Sequence, residues 1–451
     1  MKNTKRRFET FSFFEYTDIT RHLTKMAKKG WLLEKISNLG WRYRRMEPKN
    51  LSFFVAYFPR SSAYDPEPTE EQKTYHEFCA HTGWKLAAAN AQMHIFYNEQ
   101  ENPTPIETDP VLKIEAVHSA AQMSYLPTYF VFLLIAIVEC VRFGLKLKED
   151  LIWNLSSTAY LFTSFAWLIL LIHCTVELGG YFIWYARARK AALLGEFAEA
   201  SNYSRRHKIL LVAAQLAFVY WFVTFILLGD AFTRTAGLLI LVYIVGLVVI
   251  VNGIKELLKR KKAARGTNRK TTVILSFIIA FSLMGAIRFG LSQASENGLF
   301  DRREETVPLT VGDLFDIEYD GYHKNVSSDE SLLLDRFFLW QFPPYNAENY
   351  AQMPELKYTV AEPKLPFVYE ICKNTLLNKR VDDLNGAGYA NGYLSIDPEP
   401  WQAVEVYRVH WKRGFLNKYL LCYKTRMVEI SFSWEPTPEQ IEIIADIFSG
   451  E

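Results

Sequence analysis

The chain is poor in cysteine, and its five (Cys79, Cys140, Cys174, Cys372 and Cys422) include no Cys-x-x-Cys pair, which argues against a structural zinc knuckle. It lacks a His-Glu-x-x-His zinc-protease motif, a protein-kinase signature, an ATP-binding-cassette motif and any Ser-His-Asp or Cys-His constellation. The enzyme classes legible from short motifs are therefore set aside, and no metal or other cofactor is expected. A secretory leader is also missing. The start, "MKNTKRRFETFSFFEY", has a basic cluster with no apolar core or small-residue cleavage site after it, so residues 1–100 are expected to stay in the cytosol.

Net charge is nearly absent, at +2, but the charges are sorted. Residues 291–451 hold 15 Lys and Arg against 26 Asp and Glu, net −11, while the remainder holds 36 against 23, net +13. Two parts of one chain so different in sign are expected to face different surroundings. Residues 1–100 carry 16 basic and 11 acidic side chains, too small an excess to argue for nucleic acid.

What the chain has in abundance is apolar sequence. A helix needs about 20 apolar residues to cross a bilayer core. Five stretches are read as spans: 125–143, 157–183, 209–228, 236–253 and 271–289, the clearest being "LLVAAQLAFVYWFVTFILLG" and "AGLLILVYIVGLVVIVNG". Buried helices of a soluble protein would instead show polar stripes. Lys and Arg fall in the loops 186–208 (six) and 253–270 (eight), whereas the loops near 146–150 and 230–235 are close to balanced. Excess positive charge in short loops stays in the cytoplasm. The amino terminus then lies inside and the acidic carboxyl-terminal region outside. The run "ELLKRKKAARGTNRK" is read as fixing this topology and meeting anionic lipid rather than nucleic acid.

The amino-terminal hundred residues look duplicated. "FSFF" at 11–14 resembles "LSFF" at 51–54, and each precedes a helix-like segment (18–29; 70–81), a Gly-Trp pair and two strand-like runs. Gly30 and Gly83 suit the position just past a helix, where a left-handed backbone is easy without a β-carbon. Trp31 and Trp84 are expected to anchor each unit's core. The pattern predicts an α+β domain made of a tandem strand–helix–strand–strand repeat. "MAKKGWLLEKI", and "HTGWKL" followed by "IFY", resemble the family of unknown function DUF2812. The resemblance covers about the first hundred residues. It implies a bacterial plasma-membrane protein whose first domain precedes several spans, often encoded beside PadR-like transcription regulators, and it brings no catalytic residues with it.

The expected organisation is thus a multi-domain membrane protein: cytosolic α+β domain 1–100, linker 101–123, five-helix region 124–290 and extracytoplasmic α+β domain 291–451. In the last, "PFVYEICKNTLLNKR" reads as an amphipathic helix, and "AVEVYRVHW", "KYLLCYK" and "MVEISFSW" as consecutive antiparallel strands. A final helix is capped by Thr437 with Pro438 at its first turn and Gln440 completing a capping box. Cys372 and Cys422 are the cysteines expected outside. With one on a helix and the other on a strand, a disulfide and two buried thiols both stay open. The Gly-rich "NGAGYANGYLS", 385–395, lacks the Lys-Ser/Thr of a phosphate-binding loop and reads as a turn.

Ionisable groups in spans are costly, and Glu139, His173 and Glu177 are the candidates. His173 and Glu177, four apart, share a helical face, suited to a proton relay, half a metal site or plain interhelical hydrogen bonds. Three functions compete. The first is a non-enzymatic sensing, regulatory or scaffolding protein, with the bilayer and a cytosolic protein on residues 1–100 as partners. The second is a transporter subunit using these groups, and the third a membrane-embedded enzyme. The oligomeric state is not legible.

Overall fold

The computed structural model describes residues 3–9, 11–37, 40–100, 102–199, 204–227, 231–297, 306–315, 321–344, 353–378, 392–411 and 414–450. The chain forms two compact units, Met1–Glu139 with Ala166–Phe300, and Cys140–Phe165 with Asp301–Glu451.

The first unit begins with the duplicated motif. β1 (Thr4–Arg7), α1 (Tyr16–Lys28), β2 (Trp31–Lys35) and β3 (Trp41–Arg45) make an antiparallel sheet of order β1-β3-β2. β4 (Ser52–Tyr57), α2 (Glu70–His81), β5 (Lys85–Asn90) and β6 (Met93–Asn98) repeat it as β4-β6-β5. In α1, Ile19, Leu23, Met26 and Ala27 recur at helical spacing and are buried. Gly30 ends the helix at φ +78°, and a β-carbon there would meet the Met46 carbonyl oxygen at 2.8 Å. α2 opens on a complete Thr69/Gln72 capping box, and Gly83 follows it at φ +82°.

Two expectations need correction here. "FSFF" is not a strand. The first strand is the basic run Thr4–Arg7, and Phe11–Phe14 form an irregular turn whose rings face inward, Phe14 being fully buried against Tyr181 and Trp184. The two tryptophans also differ. Trp84 is buried, its Nε1 donating to the Thr104 carbonyl at 3.0 Å. Trp31 is only half-buried, with Lys5 and Arg45 5.5 and 5.1 Å from its ring centre.

Residues 101–123, read as a linker, are partly helical. α3 (Pro110–Ala120), capped by Asp109, passes through a π-helical turn (Ala121–Tyr125) directly into α4 (Leu126–Glu149). Beyond it come α5 (Leu151–Ser156), α6 (Thr158–Leu193), α7 (Ser204–Trp221, continued as π-helix to Leu227), α8 (Ala231–Arg260) and α9 (Arg265–Glu296).

Among the described residues, three helices, α6, α8 and α9, are long and apolar enough to cross a membrane. The five-span region is corrected accordingly. The shorter apolar helix Val212–Leu227 rises about 24 Å at 1.5 Å per residue, short of a ~30 Å core. In α4 the uncharged part, 126–138, rises about 20 Å before Glu139, Arg142, Lys146, Lys148 and Glu149 intervene.

The second unit completes the set with α10 (Val311–Phe315), β7 (His323–Glu330), β8 (Leu334–Phe342), β9 (Leu356–Pro363), α11 (Pro366–Asn378), β10 (Gly392–Ile396), β11 (Glu405–Trp411), β12 (Gly414–Cys422), β13 (Met427–Phe432) and α12 (Pro438–Ser449). The strands form one antiparallel sheet of order β10-β11-β12-β13-β9-β8-β7. α12, with its Thr437/Gln440 capping box, packs Ile444 and Phe448 against Leu339, Tyr358, Val428 and Ile430 on one face. On the other, α11 and α5 cover Leu334, Ala361, Leu420, Cys422 and Met427. The segment before α6 is tied to the β7–β8 turn, Ser331 donating to the Leu155 carbonyl and Thr158 to that of Glu330, both at 2.6 Å.

Candidate functional site

The polar centre of the first unit lies on α6. Its 36 residues span about 54 Å, well beyond a ~30 Å bilayer core. The surplus is used for packing. Cys174, Leu178, Tyr181, Trp184, Ala188 and Ala192 form a buried stripe at helical spacing, joined to a core that contains Phe14, Ile19 and Leu23 of the repeat domain and Ile114 and Val117 of α3.

Glu177 stands in that stripe, 2% exposed. Its carboxylate accepts from Ser12 Oγ at 3.0 Å and from Tyr125 OH at 2.6 Å. Ser12 in turn donates its backbone N–H to Glu15 Oε2 at 2.7 Å, and Glu15 is fully buried. Hydrogen bonds to a charged acceptor contribute about 1.5–3 kcal/mol each, and a buried carboxylate stripped of them is costly. The "FSFF" turn that failed to become a strand therefore carries the serine that bonds the α6 carboxylate.

A cavity of about 430 Å³ opens beside this centre, walled by Glu9, Phe11, Trp41, Tyr129, His173 and Glu177 among others. His173, one turn before Glu177, lies with Nε2 3.5 Å from Tyr129 OH. Glu9 is held below the usual carboxylate range: burial works to raise it, but the hydrogen bond from His22 and the charges of His22 and Arg7 outweigh that. His22 Nε2 lies 3.1 Å from Glu9 Oε1, and Tyr43 OH donates to the same oxygen at 3.2 Å.

The structure thus brings His173 and Glu177 together at one cavity and leaves Glu139 apart, ten residues beyond Tyr129 along α4, about 15 Å. Sequence reasoning missed Ser12, Glu15, Tyr125 and Tyr129. Ser12 and Glu15 lie in the aromatic-rich "FSFFEY", read as the opening strand of a repeat, and Tyr125 and Tyr129 in "YLPTYFVFLL", read as the start of a span. Cys372 and Cys422 share one apolar cluster beneath α11, both as buried thiols. Burial pushes each thiol up to about 11. The stretch 385–395 lies mostly outside the described residues, which resume within it at Gly392, the start of β10.

Residues 15–129 match the family model described as a protein of unknown function (DUF2812). This segment belongs to the DUF2812 family. No curated protein and no solved structure matches the chain. The DUF2812 segment extends past the repeat domain, through α3 and the π-turn to Tyr129, so Glu15, Tyr125 and Tyr129 fall inside it. A second polar cluster lies within it as well. Gln72, oriented by accepting the Thr69 N–H on Oε1 at 2.8 Å, turns its Nε2 to Ser61 Oγ and to His94 Nε2 at 3.0 Å, and His76 Nε2 meets His94 Nδ1 at 3.0 Å. Burial, followed by the nearby His76, lowers His94 to about 4.

Proposed function

We propose that this is a non-enzymatic membrane protein of the sensing or regulatory kind, in a bacterial plasma membrane. The DUF2812 domain would lie in the cytoplasm, available to a protein partner, and the carboxyl-terminal domain outside. The observation that carries the reading is the seating of Glu177: a domain hydrogen-bonded to the buried face of an apolar helix must follow that helix when it moves. Loop contacts support the same sidedness. The basic 262–268 stretch meets the DUF2812 domain through Lys262–Glu67 at 2.6 Å, Arg265 to the Arg60 carbonyl at 2.7 Å and Asn268 to the Tyr64 carbonyl at 3.2 Å. Residues 140–165 instead group with the acidic carboxyl-terminal domain.

Labelling of single cysteines with an impermeant maleimide tests this. Leu332→Cys, in a position 63% exposed, is expected to react in intact cells, and exposed Glu71→Cys only after permeabilisation. Equal reaction of both before permeabilisation overturns the topology. A transporter subunit is the second reading, favoured by the cavity at His173 and Glu177. It gains if Glu177→Gln abolishes a solute or proton flux in vesicles while the labelling pattern stays unchanged.

A further inference from the structure

We propose that the open half of the carboxyl-terminal sheet binds an oxyanion of the phosphate type, carried by a larger polar molecule. The strand registers define two rows across one face. Asn325, Trp340, Lys357, Ser431 and Lys418 are successive neighbours in the first, and Ser327, Phe338, Thr359, Glu429 and Leu420 in the second. A third row, from Asp329 and Arg336 to Cys422, runs under α5 and α11. The first two rows are largely left open by the helices. Most of their side chains, with Arg336, residues 147–153 and the 372–378 part of α11, wall a cavity of about 970 Å³, at the upper end of the range of small-molecule sites.

The charged side chains of the lining are Lys148, Arg336, Lys357 and Lys418 against Glu149, Asp150 and Glu429, an excess of one cation. Lys357 stands 5.3 Å from the Trp340 ring centre and 5.8 Å from that of Phe338, with no carboxylate in ion-pair range among the described residues. Lys418 lies two strands away, about 10 Å, and is neutralised by Glu429 at 2.8 Å. Arg336 is 7% exposed and stacks on Trp153 at 4.1 Å. Its Nη2 reaches Ser327 and Asp329 at 2.9 and 2.6 Å, while its buried Nε makes no hydrogen bond among the described residues. An exposed lysine alone is ordinary surface. A lysine without a carboxylate partner and a buried arginine with an unused donor, each within 6 Å of the Phe338 ring centre at one cavity, form an arrangement that an anion completes.

The same chemistry is offered by a soluble phosphate ester and by a phospholipid headgroup, and the test separates them. The full chain, in phosphatidylcholine nanodiscs with and without phosphatidylglycerol, is titrated with glycerol phosphate by calorimetry. Lipid contact is read separately by quenching of tryptophan fluorescence with brominated phosphatidylglycerol. Saturable glycerol phosphate binding that falls at least tenfold in Lys357→Glu, less in Lys357→Gln, and not in Lys324→Glu on the other face supports a soluble ligand. Quenching by the brominated lipid with that same pattern of variants supports a headgroup. No saturable response to either probe, or equal losses in Lys357→Glu and Lys324→Glu, overturns the site. Matching circular dichroism of the variants guards against misfolding. The site lies wholly within the second unit and does not need the topology proposed above.

Discussion

Acid should weaken the DUF2812 domain through one histidine, and a single substitution should cure it. The capping box fixes the Gln72 amide so that its Nε2 donates to His94 Nε2, which must then be the unprotonated nitrogen. A proton added there would face a donor, and burial alone already disfavours the charge. His94 accordingly titrates at about 4 in the fold against 6.5 when unfolded. Above pH 6.5 both states are neutral and nothing is lost. As pH falls from 6.5 to 4 the unfolded chain takes up the proton and the fold does not, so stability declines, by about 3 kcal/mol at 1.36 kcal/mol per pH unit. Gln72→Glu keeps an acceptor for the Thr69 N–H and replaces the opposing donor by a carboxylate, which should raise His94 and flatten the loss. Denaturant unfolding of the detergent-solubilised chain at pH 7, 6, 5 and 4 measures it, with the His94 ring signals followed by NMR. If His94 of the parent chain titrates near 6.5, or if Gln72→Glu leaves the acid loss unchanged, the reasoning from the capping box fails.

Gly30→Ala should cost about 1–2 kcal/mol or more, because φ is +78° and the new β-carbon would lie 2.8 Å from the Met46 carbonyl oxygen, whereas Gly144→Ala, with nothing within 4 Å, should cost nothing measurable in thermal unfolding. Cys372 and Cys422 should resist alkylation at pH 8 in the folded chain and react fully in denaturant, since both thiols are buried and pushed up to about 11. Rapid labelling of either under native conditions would contradict the packing beneath α11.

The repeat was legible because it rests on local chemistry. Helix periodicity, a glycine that alone accepts the exit geometry, and a Thr-x-x-Gln box each act within a few residues, and α2 lies where its sequence places it. The three carboxyl-terminal strands β11, β12 and β13 were legible for the same reason. β7, β8 and β9 were not: β7, "HKNVSSDE", is polar and largely exposed and shows no apolar alternation although it pairs locally with β8, and β9 pairs with β13 across more than sixty residues. His173 and Glu177 were found by the cost of charge in an apolar run. Glu177's partners Ser12 and Tyr125 come from 165 and 52 residues away, and Tyr129 lies 44 residues from His173; none carries such a mark. The five-span reading counted apolar letters and overlooked the late charges of α4, which cut its uncharged run to residues 126–138.

The unbroken passage from α3 through the π-turn into α4 has a mechanical consequence. Helical structure runs without a loop from Pro110 to Glu139 at least, about 45 Å, but Pro127 has no N–H to give and follows the π-turn almost directly, so the run carries one built-in place to bend.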